Sequence, residues 1–341
     1  MIRRLALLAC VVPFAAQASP SHTLDAARAH HALACGVVVE QEDFTKTDSH
    51  GDLSVFSSQI CRAIAAASLG DANEAHLVGF PDDPHGIAAL RMGSVAVLVG
   101  TTPNAASETL NHLRFSPTLF IDGQGFLLPR SLHVHDLAGL RGHTICFLSE
   151  TPADGGLAAW HQHAGIGLMS DPYEEAGEME AALTAGHCQA ITADVSTLAN
   201  MRAAFHGRVA DFEILAQRIT YDPFAAATRA DDSTWTTLVA DVVTALIEAD
   251  QDGITRGNLA QAEQLAQSST GSYARRLLGP TPGLASLLGL RDGWAARALA
   301  VGGNYGEILA ATTGPGSRLD LPPGPNALWN AGGLIGAAAI E

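Results

Sequence analysis

The sequence is poor in basic residues, and lysine is almost absent from it. Its 341 residues contain 19 lysines and arginines together, against 35 aspartates and glutamates, for a formal net charge of −16 at pH 7. Lys46 is the single lysine. Nucleic acids and anionic membranes attract proteins through basic patches. We therefore expect neither a nucleic-acid partner nor a membrane-surface partner.

Motifs typical of enzymes are also lacking. The chain has no Gly-x-Ser-x-Gly, no phosphate-binding loop and no His-Glu-x-x-His. A Gly-Gly-Asn-Tyr-Gly stretch at 302–306 lies in the C-terminal tail rather than between a strand and a helix, so it does not predict a dinucleotide site. We expect no catalytic residues and no cofactor.

Histidines two positions apart raise the question of a metal site. His161 and His163 fall in a helical pattern, where residues two apart do not share a face. His133 and His135 could chelate together on a strand or loop, but a metal site needs further ligands. We expect surface histidines and no metal.

The N-terminus has the pattern of a signal peptide. Arginines at positions 3 and 4 precede an apolar run from Leu5 to Ala16, and an Ala-Gln-Ala triplet ends at Ala18. This predicts a signal peptide at 1–18 and export to the periplasm. The alternative, a lipid anchor on Cys10, would follow an apolar stretch of only about five residues, short of the usual ~7–15.

Apolar runs alternate with helical patterns twice along the chain. The first unit predicts strand, helix, strand, helix and strand at residues 32–39, 57–68, 75–80, 85–92 and 94–99. The second predicts strand, helix, helix and strand at residues 143–148, 153–165, 179–185 and 189–193. Such alternation implies parallel sheets with helices on their faces.

Extended segments at 123–128 and 221–224 connect these two units, and two crossings make a hinge. We predict an α/β fold of two lobes with two hinge crossings and a helical C-terminal extension. The predicted bounds are 24–127 with 221–341 for the first lobe and its extension, and 128–220 for the second lobe. A ligand held between such lobes binds at the carboxyl ends of the strands.

Cleavage after residue 18 leaves four cysteines. An even number in an exported chain indicates two disulfides, although three pairings are possible. We favour Cys35–Cys61 and Cys146–Cys188, because each pair then stays within one half of the chain. Four buried free thiols are the alternative.

Several short motifs resemble one family, in the same order along the chain. The crossing Asp-Gly-Gln-Gly-Phe at 122–126 resembles the hinge strand of periplasmic amino-acid-binding proteins of ABC transporters, in the general L-amino-acid subfamily of solute-binding protein family 3. The tail motifs and the four cysteine positions match as well; the tail matches lie at 275–279, 304–308, 314–317, 326–330 and 332–334. The resemblance spans roughly residues 24 to 335. It implies a small-molecule ligand between the lobes and an inner-membrane ABC permease as partner; we also expect a monomer.

Carried over onto this sequence, the family's ligand site falls at six positions, which are Phe44, Thr101, Thr102, Ser107, Thr151 and Asp194. Asp194 matches the aspartate that pairs with the ligand ammonium, and its alternative role is to cap the following helix. Ser107 stands where the family has an arginine that grips the ligand carboxylate, and a hydroxyl supplies neither that charge nor that fork of donors. Pro152, in a segment where the family has Gly-Thr-Thr, has no N–H to give.

The predicted site therefore keeps a contact for a cation and loses contacts for a carboxylate. We expect standard L-amino acids to bind poorly, and an amine or another cationic or neutral polar solute to be preferred. Thr101, Thr102 and Ser107 could equally be turn and cap residues. Two functions stay open: capture of a solute for an ABC permease, and a ligand sensor or periplasmic interaction protein on the same scaffold.

Overall fold

The computed structural model of the chain contains two β-sheets with helices packed on them. Strands are numbered β1 to β11: Leu33–Val38, Ala75–Phe80, Val97–Thr101, Leu113–Phe115, Phe120–Asp122, Gln124–Pro129, Thr144–Leu148, Met169–Tyr173, Ala190–Asp194, Phe212–Ile214 and Asp222–Arg229. Helices are numbered α1 to α13: His22–His30, Leu53–Ser68, Asp83–Arg91, Ala105–Thr109, Pro152–Ala164, Ala176–Ala185, Val195–Ala204, Ser233–Gln251, Leu259–Ser268, Tyr273–Leu278, Leu284–Leu287, Trp294–Gly302 and Tyr305–Thr312. The structure describes residues 20–38, 53–268, 273–279, 284–338 and 340, so the signal peptide predicted at 1–18 lies outside the described residues.

The first sheet has the order β2-β1-β3-β11-β4, and β5 also pairs with β11. Strand β1 lies between β2 and β3 and is parallel to both, with Cys35 opposite Leu77 on one side and Val97 on the other. Strand β11 is antiparallel to its three partners. We call the unit built on this sheet the first lobe. Its parallel part is the one that the first alternating unit predicts.

The second sheet has the order β10-β6-β9-β7-β8. Strand β7 is parallel to β8 and β9, and β6 is antiparallel to β9 and β10. We call the unit built on this sheet the second lobe. The predicted α/β fold with two sheets is confirmed.

The chain changes sheets at Gly123. Asp122 pairs with Asp222 in the first sheet, and the strand that starts at Gln124 pairs only in the second. Gly123 has a φ of +143°, and a Cβ there would clash with the carbonyl oxygen of Thr220. Only glycine fits this crossing. The sheet changes four residues before the predicted boundary at 127/128; the domain bounds themselves stay predictions.

The second crossing runs beside the first. The N–H of Ile219 donates to the carbonyl oxygen of Gln124 at 2.8 Å, and the N–H of Gln124 donates to Oγ1 of Thr220 at 2.8 Å. These bonds join the two crossings into one narrow connection between the lobes. A connection of this kind concentrates backbone rotation in a few residues, which is the geometry of a hinge.

Each lobe has one disulfide. Cys35–Cys61 joins β1 to α2 with a Cα–Cα distance of 6.0 Å, and Cys146–Cys188 joins β7 to the turn before β9 with a Cα–Cα distance of 5.9 Å. All four cysteines are buried. The predicted pairing is confirmed, and the alternative of four free thiols is wrong.

The described part of the C-terminal extension, which follows α8, packs on the first lobe and also reaches the second. Its helices α12 and α13 pack against α2 and α8. Further on, Leu319 and Leu321 pack against Val195 and Ala199 of α7, a helix of the second lobe. The extension therefore contacts both lobes.

Candidate functional site

The predicted ligand residues of the two sheets lie beside the crossings. Thr101 ends β3 and pairs with Ala225, three residues after Asp222 at the second crossing. Asp194 ends β9 and pairs with Gln124 at the first crossing. The carboxyl end of one strand from each lobe thus reaches the hinge. In open α/β sheets such ends form ligand sites.

In the first lobe, the Thr101-Thr102 pair faces a carboxyl group of the protein itself. The N–H of Thr102 donates to Oδ2 of Asp83 at 3.3 Å. The Thr101 hydroxyl is buried beside Asp83 and has no hydrogen-bond partner within the usual distance and angle limits among the described residues. Burial raises the pKa of Asp83, and the two threonines oppose that rise.

Ser107, which stands at the family's arginine position, is buried within a short helix. It is 3% exposed, and its N–H donates to Oδ1 of Asn104 at 2.8 Å, so that Asn104 caps α4. The structure shows the backbone of Ser107 in a helix cap. A ligand contact by its hydroxyl stays a prediction.

In the second lobe, Thr151 precedes α5 and has its hydroxyl committed to the backbone. Its Oγ1 donates to the carbonyl oxygen of Leu148 at 2.7 Å and makes no cap bond to the helix. Pro152 occupies the first turn of α5, as the sequence predicts. Glu150 just before it has a φ of +60°, which is uncommon outside glycine. This helix start therefore has no N–H at Pro152 and carries the carboxylate of Asp154 in its first turn.

Asp194 lies at the start of α7 and is half-buried, but its side chain makes no cap hydrogen bond to that helix. The capping alternative for Asp194 is therefore wrong. Instead Asp122 at the first crossing accepts the N–H of Ser196, in the first turn of α7, at 3.3 Å. A ligand contact by the carboxylate of Asp194 stays a prediction.

Asp122 is almost fully buried at the hinge, and its role was not predicted from the sequence. It is 1% exposed, and among the described residues its Oδ2 has no hydrogen-bond partner. Burial raises its pKa, while hydrogen bonding by Ser196 and the charge of Arg218 oppose that rise. A carboxyl group from the first crossing thus caps a helix of the second lobe.

Gln124 is a second hinge residue that sequence reasoning missed. Its Nε2 donates to the carbonyl oxygen of Ala153 at 2.8 Å and to Oγ1 of Thr192 at 3.0 Å. A Cβ on Gly156 would clash with its amide oxygen. Gln124 therefore holds the first turn of α5 against β9, the two elements that carry Thr151 and Asp194. Only the match to the hinge motif pointed to this position.

Comparison with known proteins identifies the family. No family model matches the chain. The glutamate/glutamine/aspartate/asparagine-binding protein of Rhodobacter capsulatus is 34% identical over 329 residues, which cover 96% of this chain and 95% of that protein. The general L-amino acid-binding periplasmic protein of Rhizobium johnstonii is 31% identical over 339 residues, 98% of each chain. This chain belongs to the periplasmic amino-acid-binding proteins of ABC transporters.

A solved structure from the periplasmic binding proteins agrees with this fold. The ABC transporter periplasmic binding protein from Brucella ovis with glutathione bound is 28% identical, with a TM-score of 0.75 over 94% of this chain and 99% of that chain. The similarity extends over both lobes and the C-terminal extension.

Four of the six predicted ligand residues lie at or shortly after the ends of β3, β7 and β9, and a fifth, Ser107, lies in α4. The sixth, Phe44, lies outside the described residues. Among the described residues, no helix is both long and apolar enough to span a bilayer. Within the same part of the chain, no three or more histidine, cysteine, aspartate or glutamate side chains are grouped so that they could hold a metal ion.

Proposed function

We propose that this chain captures an amino acid or a related small polar or cationic solute in the periplasm and presents it to an inner-membrane ABC permease. One observation carries this proposal. The carboxyl ends of β3 and β9, which bear Thr101 and Asp194, lie next to the two crossings that join the lobes. Rotation about such crossings closes two sheet edges over a solute.

The periplasmic location is supported by chemistry as well as by the relatives. Two disulfides form and persist in an oxidising compartment and are rare in the cytosol. The Rhizobium johnstonii relative is itself described as periplasmic. A binding role without catalysis fits a site built from threonines and aspartates at the sheet edges.

A screen of solutes against the purified mature protein tests the proposal. A ligand that binds only the folded state stabilises it by mass action, by about 2.7 kcal/mol when the ligand concentration is 100 times Kd. Such binding raises the melting temperature. The panel contains the twenty L-amino acids, glutathione, and simple mono- and diamines, and each hit is measured by calorimetry. If no member of the panel binds at millimolar concentration, the capture function is refuted.

A ligand sensor on the same scaffold is the second candidate. The observation that favours it is the replacement of the family's arginine by Ser107, a residue that is buried in α4. Uptake of the bound solute by membrane vesicles that contain an inner-membrane permease distinguishes the two. A transport protein stimulates uptake in proportion to its concentration, whereas a sensor binds solute without doing so.

A further inference from the structure

Asp83 lies at the ligand edge of the first lobe. It is the first residue of α3, which follows β2, and β2, β1 and β3 are parallel. The carboxyl ends of these strands therefore meet at one edge of the sheet. Asp83 and the Thr101-Thr102 pair come together there, through the 3.3 Å bond from the Thr102 N–H to Oδ2 of Asp83.

The Thr102 N–H, a donor that this loop offers an anion, is thus engaged by the protein's own carboxyl group. A ligand carboxylate that approached Thr102 would have to displace Asp83 or lie beside it, like charge against like charge. The N-terminus of α3 favours a carboxylate at its first turn, so Asp83 has a second reason to stay in place.

We propose that Asp83 is a specificity-determining residue that takes the place of a ligand carboxylate at Thr102, so that the site selects an organic cation lacking a carboxylate over an α-amino acid. This inference rests on the proposed function, because it concerns the same site between the lobes. It predicts a ligand with an ammonium or guanidinium group, which Asp83 in the first lobe and Asp194 in the second both favour.

Other charges near these residues point the same way. Asp82 precedes Asp83 and is itself paired, since its Oδ1 lies 2.6 Å from Nδ1 of His85 and accepts the N–H of the same residue. In the second lobe, Glu150 and Asp154 flank the start of α5. Both lobes thus put carboxyl groups near the predicted site.

Two substitutions of Asp83 separate its charge from its hydrogen bond. Asp83→Asn removes the charge but keeps an oxygen that can accept the Thr102 N–H. Asp83→Ala removes both and leaves the donors of Thr102 free for a ligand. Asp71→Asn is the matched control, since Asp71 caps the turn that precedes β2, at the other end of that strand, and asparagine can still cap it. Folding of each variant is confirmed by its melting temperature before binding is measured.

Calorimetry with three probes, 1,4-diaminobutane, L-glutamate and L-alanine, tests the proposal. We expect the wild type to bind the diamine more tightly than either amino acid, and both Asp83 variants to lose at least about tenfold in diamine affinity. We expect L-glutamate or L-alanine to gain about tenfold or more in Asp83→Ala and less in Asp83→Asn, because only the first frees the donors. The control should behave as the wild type.

Two results overturn the inference in distinguishable ways. Micromolar binding of an amino acid to the wild type, unchanged in Asp83→Ala, would refute the role of Asp83 and leave the proposed function standing. Absence of binding of all three probes to the wild type and to every variant would refute the role of Asp83, and the full solute panel would then decide the proposed function. Amino-acid binding that appears only in Asp83→Ala supports the inference even where the diamine does not bind.

Discussion

The guanidinium group of Arg202 donates to the carbonyl oxygen of Leu319 at 2.6 Å, and so joins α7 of the second lobe to the C-terminal extension. It also donates to the carbonyl oxygen of Asp320 at 3.0 Å. Arg202 is 9% exposed, and burial lowers its pKa. The extension packs mainly on the first lobe, so this contact connects the lobes a second time, away from the hinge.

Replacement of Arg202 by leucine should therefore destabilise the protein. It leaves two carbonyl oxygens without their charged donor, which costs about 1.5–3 kcal/mol in the free energy of unfolding. Urea unfolding measures the loss. Arg208→Leu is the control, because Arg208 is exposed in its ion pair with Asp211 and such pairs contribute about 0–1 kcal/mol. Equal losses in the two variants would show that the contact with the extension contributes nothing.

Gly156 of α5 is predicted to tolerate alanine only when Gln124 is shortened. Alanine in a helix interior normally stabilises by about 0.5–1 kcal/mol relative to glycine. At Gly156 its Cβ would meet the amide oxygen of Gln124, whereas at the neighbouring Gly155 there is open space. We expect Gly155→Ala to stabilise and Gly156→Ala to destabilise.

The coupling is checked by a double-mutant cycle. Gly156→Ala should become neutral or stabilising in a Gln124→Ala background, because the obstructing side chain is gone. Thermal or urea unfolding of the four proteins supplies the cycle. Additive effects would mean that Gln124 does not hold α5 in the way the hydrogen bonds indicate.

Apart from β8, the sequence predicted the parallel strands better than the antiparallel ones. The strand at 75–80 was predicted with its observed bounds, and the strand at 143–148 differs by one residue, since each is a run of apolar residues flanked by polar ones. Strand β8, Met169–Tyr173, was missed because it is an exposed edge strand with Asp and Pro in it. Strand β11 was expected only as a crossing, because its pairing with β3 depends on residues more than 120 positions away.

Only part of the site was predicted, again because some of its contacts join segments that are distant in the sequence. The family resemblance placed Thr101 in a loop of the first lobe, Thr151 at a helix N-terminus and Asp194 before a helix. It could not show that Asp122 caps α7 or that Asp83 accepts the Thr102 N–H, because each contact joins segments whose proximity follows only from the folded sheets. Local sequence, in contrast, offered Asp194 as the cap, and the structure assigns that role to Asp122.

Asp241 in α8 makes the stability dependent on pH between about 4 and 6. Burial raises its pKa to about 6, whereas an unfolded aspartate titrates near 3.9. The folded state therefore binds more protons than the unfolded state in this range, so this group's contribution to stability falls as pH rises through it. Asp241→Asn should stabilise the protein at pH 7.5, by about 1 kcal/mol after allowance for partial solvent exposure, and have little effect at pH 4. Urea unfolding of both proteins at the two pH values measures this; equal differences at both would contradict it.

Asp194 is predicted to act on ligand affinity. Its side chain makes no cap hydrogen bond to α7, so the ~1 kcal/mol that loss of a helix cap costs is not part of the effect of Asp194→Asn. Lobe closure over a cationic solute would instead bury the carboxylate against the ligand, where truncation of one partner costs about 2–5 kcal/mol. That corresponds to a loss of roughly tens- to thousands-fold in affinity. Calorimetry with the tightest solute of the screen measures it, and Asp136→Asn, at an aspartate that caps residues 137–140 of the second lobe, is the control. If the affinity is unchanged in Asp194→Asn, another carboxylate binds the ligand ammonium. Asp83 is then the next residue to substitute.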